Sequence, residues 1–179
     1  IETPKLRKLM QDQMFLQDLQ MRQLMELQQD ESKTPFHQLK IHAIQVMLYD
    51  GRSANAVVIG TDSATDLAVL QVQLSDLQPI TLGDSDAARV GDVVLAIGNP
   101  LGFGHSVSQG IVSALGRYGL QLSPYEDYIQ TDAISHLGNS GGALIDTEGR
   151  LLGINTLIYT GDNQTHNATT GIGISLAIP

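Results

Sequence analysis

From Ile41 onward the chain takes on a period of two, with β-branched residues dominating short apolar runs broken by glycine, asparagine and aspartate. A period of two sends successive side chains to opposite faces of a strand, so it predicts sheet and disfavours helix. Ile44-Gln45-Val46-Met47-Leu48, the turn Tyr49-Asp50-Gly51-Arg52 and Ala56-Val57-Val58-Ile59 read as a hairpin. Leu67–Val72 reads as a further strand, and Val93–Ile97 as another, closed by Gly98-Asn99-Pro100. Runs near Ser106–Leu115, Ala143–Ile145, Leu151–Leu157 and Gly173–Ile178 complete the series. Short strands with glycine-rich turns predict an all-β antiparallel barrel or sandwich, not βαβ units.

Residues 5–28 follow a different rule. Leu6, Leu9, Met10, Met14, Leu16, Met21, Leu24, Met25 and Leu27 gather on one side of a helical wheel, with Phe15 and Leu19 outside the stripe. Glutamines fill the other side, and Thr3-Pro4 supplies an N-cap and a first helical position. The pattern predicts an amphipathic packing or assembly helix. Its polar side is not basic, which disfavours a membrane-surface role. Asp30–Pro35 reads as a linker, dividing the chain into a helix-and-linker segment, 1–33, and a β domain, 34–179.

Composition narrows the function. The net charge of −9 argues against nucleic acid as a partner, because phosphate binding needs a basic surface. Without cysteine there are no disulfides and no thiolate metal sites. Five scattered histidines lack ligand spacing, so no metal is expected. No apolar run approaches the length of a membrane span. With Ile1 in place of Met, the sequence is expected to be a processed or shortened piece. The sequons at Asn163 and Asn167 lie in a Gly/Asn/Thr-rich stretch where they arise readily by chance.

Chemistry concentrates at Gly138-Asn139-Ser140-Gly141-Gly142. A serine between glycines in a tight turn can project its Oγ while backbone N–H groups converge beside it, as acyl transfer requires. Such clusters are also ordinary turns, so the neighbourhood decides. Thr65-Asp66-Leu67-Ala68-Val69-Leu70, Leu82-Gly83-Asp84-Ser85-Asp86, Arg89-Val90-Gly91-Asp92 and Ala96-Ile97-Gly98-Asn99-Pro100 come first. Gln109-Gly110-Ile111-Val112-Ser113-Ala114, Gln130-Thr131-Asp132-Ala133, the serine turn and Gly153-Ile154-Asn155-Thr156 follow in order. This ordered set strongly resembles the protease domain of the HtrA family, the bacterial DegP/DegQ/DegS type, over about residues 44–179.

The resemblance implies a chymotrypsin-like double β-barrel and a cofactor-free Ser-His-Asp endopeptidase acting on polypeptides in the bacterial periplasm or envelope. Ser140 resembles the nucleophile and Asp66 the acid that orients the histidine. The oxyanion hole maps onto the backbone N–H groups of Gly138 and Ser140, with Asn139 between them. The first barrel looks incomplete, because the family's opening strands and its Thr-Asn-x-His-Val phrase are not recognisable. His37, in Thr34-Pro35-Phe36-His37-Gln38, is the nearest match for the base, with Pro35 and Gln38 standing where the family has Asn and Val. His42 is the rival. Ile134, Asn155, Thr156 and Leu157 are expected around a substrate pocket suited to small aliphatic side chains. Arg117 matches the arginine of the family's sensing loop and is expected to help order residues 134–139. The resemblance also implies a homo-oligomer, a trimer in the family, and a PDZ domain that this chain does not include.

Overall fold

The computed structural model describes residues 44–99, 105–120, 123–133, 138–158 and 173–179. Among them the chain is all β, with no α-helix. The helix expected over residues 5–28 lies outside the described residues. Strands β1 (Ile44–Met47), β2 (Ser53–Asp62) and β3 (Leu67–Val72) form an open antiparallel sheet. Strands β4 (Val93–Gly98), β5 (Ser106–Arg117), β6 (Tyr128–Thr131), β7 (Ala143–Asp146), β8 (Leu151–Ile158) and β9 (Ser175–Ile178) close a barrel in the order β4-β5-β6-β9-β8-β7. The expected double barrel is thus one closed barrel beside a three-stranded sheet among the described residues.

The sheet begins as the sequence pattern requires. Gly51, at φ 87°, makes the β1–β2 turn, and Leu48 N–H bonds Arg52 O at 2.7 Å. The Asp50 carboxylate accepts the Arg52 backbone N–H at 3.0 Å and Nε at 2.7 Å, which holds its carboxyl below the usual range. Register runs Ile44↔Ala56 to Met47↔Ser53, and β2 pairs β3 with a bulge between Val58 and Gly60. Val46 is buried, but Val57, Ile59 and Val69 are 62%, 59% and 63% exposed, so this sheet supplies little of the core.

The barrel supplies the rest. Closing a sheet on itself removes its free edges. Val94 and Ala96 of β4 point inward to meet Val112, Ile129, Ala133, Leu144, Leu152 and Ala177. Ile97 packs with Ala143 and Ile145 in a second cluster, flanked by Ile80, Leu95, Val107 and Leu151. Beyond the exposed Val93, both faces of β4 are covered, which is why Val94-Leu95-Ala96-Ile97 is apolar without alternation.

The segment between β3 and β4 is bolted to the outside of the barrel. Leu151 N–H bonds Thr81 O at 2.9 Å, and Gly83 N–H bonds Leu151 O at 2.8 Å. Asp84 caps a short 3-10 turn, Ser85–Ala87, accepting the Asp86 N–H at 3.1 Å. Gly91 N–H then bonds Val112 O at 2.9 Å, and Val112 N–H bonds Asp92 O at 2.8 Å. The Leu82–Asp92 phrase is thus scaffold, spent on anchoring a crossover.

Candidate active site

Ser140 sits on the turn that feeds β7. Gly138 and Gly141 adopt φ of 100° and 86°, a region L side chains resist, so glycine lets the chain reverse on either side of the serine. The exit of the turn is locked onto β8: Gly141 N–H bonds Asn155 O at 2.7 Å, and Asn155 N–H bonds Gly142 O at 2.8 Å. Gly142 N–H bonds Asn139 O at 3.0 Å. These two glycine donors are committed to carbonyls, so the exit of the turn is fixed.

The Ser140 hydroxyl is half-buried and donates to the Thr156 carbonyl at 2.8 Å. Thr156 thus enters the site through its backbone. Asn155 stands behind it: the side chain is buried, and Nδ2 donates to Ile97 O at 3.3 Å and Ala143 O at 3.2 Å, clamping β4 and β7 to β8. Its amide nitrogen is spent on the scaffold. Asn139 is buried as well, and its Oδ1 has no hydrogen-bond partner among the described residues. A buried acceptor in that condition carries a penalty of about 1–3 kcal/mol.

Asp66 ends the β2–β3 turn, exposed and with φ 58°. Asp62 builds this turn. Its Oδ1 accepts the Ala64 N–H and its Oδ2 the Thr65 hydroxyl, each at 3.0 Å. Arg117 closes β5 with an exposed side chain whose Nε donates to Gln130 Oε1 on β6 at 2.7 Å. Gln130 belongs to the Gln-Thr-Asp-Ala phrase, so the arginine reaches the strand leading toward the serine turn. His37, His42 and Ile134 lie outside the described residues, as does the side chain of Leu157, whose backbone belongs to β8. The one described histidine, His105, packs its ring 5.9 Å from that of Tyr49, and partial burial lowers its pKa.

The β5–β6 connection was legible in sequence only as a match to a family loop. Ser123-Pro124-Tyr125-Glu126 carries the Ser-x-x-Glu spacing of a capping box. Ser123 Oγ accepts the Tyr125 N–H at 2.9 Å, while Glu126 accepts the N–H groups of Leu120 at 2.8 Å and of Ser123 at 3.4 Å. The Ser123 hydroxyl then donates across the molecule to Ala64 O at 2.5 Å.

Comparison with known proteins places this geometry. Residues 26–154 match the family of the trypsin-like peptidase domain. The periplasmic serine endoprotease DegP of Salmonella typhimurium is 52% identical over 137 residues, 76% of this chain and 28% of that protein. The periplasmic pH-dependent serine endoprotease DegQ of Escherichia coli is 48% identical over 137 residues, 76% of this chain and 29% of that protein. The chain therefore spans under a third of the length of these relatives. The solved structure of the HtrA-type protease AlgW with decapeptide superposes with a TM-score of 0.72 at 51% identity, over 77% of this chain and 41% of that one. Taken with the barrel and the serine turn, these matches show that the chain belongs to the trypsin-like peptidases and, within them, to the HtrA/DegP type.

Proposed function

We propose that the chain is the peptidase unit of an ATP-independent serine endopeptidase of the bacterial periplasm, cleaving unfolded or regulatory envelope proteins. The observation that carries this reading is the serine turn, with Gly141 and Gly142 tied down and the Ser140 hydroxyl at its apex. A histidine takes the Ser140 proton as Oγ attacks the scissile carbonyl, and returns it to the leaving amine; water then releases the acyl group. His37 is assigned as that base, with His42 as the alternative, and Asp66 orients it. The Gly138 and Ser140 N–H groups receive the developing oxyanion, and losing one such donor costs about 10²–10³ in rate. The reaction needs no cofactor.

The alternative is a binding module with the same fold that lacks a competent triad histidine, since Pro35 and Gln38 stand around His37 where the family has Asn and Val. Fluorophosphonate labelling of the purified chain separates the two. The protease reading expects covalent labelling that Ser140→Ala abolishes and His37→Ala reduces by at least about 10²-fold. Loss in Ser140→Ala alone moves the base to His42, and no labelling at all overturns the reading in favour of the binding module.

Arg117 offers a further test. Its side chain is exposed, so Arg117→Ala should change stability by no more than about 0.5 kcal/mol. If it orders the approach to the oxyanion turn, turnover falls at least about tenfold, the worth of one charged hydrogen bond. Parallel thermal melts and peptide-hydrolysis rates decide this, and matched losses in both would make the arginine structural.

A further inference from the structure

We infer that Ser123 is a positioning residue that fixes the Asp66 turn against the barrel, so that the β5–β6 loop sets the placement of the triad acid. The inference rests on the reading of Asp66 as that acid. Ser123 lies in the β5–β6 connection and Ala64 in the β2–β3 turn, 59 residues apart, so their hydrogen bond joins the barrel to the open sheet. Its direction is fixed. The Tyr125 N–H already donates into Ser123 Oγ, so the hydroxyl proton goes to Ala64 O, at 2.5 Å. The Glu126 carboxylate holds the serine from behind through the Leu120 and Ser123 N–H groups.

On the other side the contact lands on a turn that is already rigid. The Ala64 N–H and the Thr65 hydroxyl are both held by the Asp62 carboxylate. A pull on Ala64 O is therefore carried through two residues to Asp66, whose φ of 58° leaves little slack for a non-glycine residue. The sheet itself buries few apolar side chains, so packing alone holds this turn weakly. A polar tether on Ala64 has correspondingly more influence on where the Asp66 carboxylate stands.

The test uses the whole chain and four variants: Ser123→Ala, Ser123→Thr, Asp66→Asn and the double variant Ser123→Ala/Asp66→Asn. Rates of phosphonylation by a fluorophosphonate, in which Ser140 Oγ displaces fluoride from phosphorus, and amide hydrogen exchange of residues 64–67 are measured for each. Ser123→Ala should slow phosphonylation about fivefold to tenfold, the worth of one hydrogen bond, and speed exchange at 64–67 by a similar factor. Ser123→Thr keeps the hydroxyl and should restore both. In the Asp66→Asn background Ser123→Ala should produce no further loss of rate, because a residue acting through Asp66 has nothing left to position. Unchanged rate and exchange in Ser123→Ala, with Asp66→Asn strongly impaired, overturn the inference and leave the triad reading intact. Additive losses in the double variant also overturn it, assigning Ser123 a general structural role. Full activity in Asp66→Asn overturns the triad reading itself.

Discussion

Replacing Asp66 by asparagine is expected to slow turnover by about four orders of magnitude and to leave the thermal melt in place. A carboxylate beside the base selects the tautomer that can accept the serine proton and stabilises the imidazolium that forms; a neutral amide does neither. The fold has no reason to respond. Asp66 is exposed, and its φ of 58° lies where asparagine is as tolerant as aspartate. Steady-state hydrolysis of an unfolded protein substrate, run beside a thermal melt, checks both halves. A loss of less than about tenfold would place the orienting acid elsewhere in the chain, since the effect of a triad carboxylate is far larger.

The second large effect is on stability. Gly110→Ala is expected to destabilise the barrel by at least about 3 kcal/mol, the upper end for overpacking. For a chain of this size that lowers the midpoint of melting by roughly 6–12 °C. A methyl group on Gly110 would meet the Ala133 backbone nitrogen, Asp132 Oδ1 at 2.5 Å and Ala133 Cα at 2.7 Å. Most of these are backbone atoms, which cannot rotate away. The same contact would dislodge the Asp132 carboxylate from the Ile111 N–H it accepts at 2.7 Å. Gly60→Ala is the control: its added carbon meets nothing within 4 Å and its φ is not positive. It should be neutral or stabilising by under about 1 kcal/mol. Equal melts for the two variants would refute the close-packing account of Gly110.

Ile44–Met47, Leu67–Val72, Val93–Gly98 and Leu151–Ile158 differ from the sequence reading by a residue or less at each end, whereas the run read at Ala56–Ile59 is the longer strand Ser53–Asp62, because its polar flanks also pair in the sheet. Of Tyr128–Thr131 the family phrase covers only Gln130-Thr131, because four residues ending in Gln-Thr show too little alternation to mark a strand. Its strand character comes from partners on either side, β5 and β9. The same limit applies at the site. The glycines around Ser140 are a local signal and were legible. That Asn155 clamps β4 and β7 to β8, that Arg117 meets Gln130, and that Ser123 reaches Ala64 are long-range facts with no signature in local spacing.

The strand order of the barrel also sets a timetable. β9, at residues 175–178, pairs with both β6 and β8, with Ile129↔Ala177 and Ile154↔Ile178 in register. Until it arrives, β6 and β8 each have one open side and the cylinder cannot close. Non-local pairing of this kind is slow, because the entropy of closing a long loop is lost before the contacts that offset it form. The serine turn leans on Asn155 of β8, so its geometry matures only as the last strand docks. A nascent or partly unfolded copy therefore presents Ser140 on a turn not yet locked to β8, and on the proposed reading hydrolytic capacity emerges together with the completed barrel.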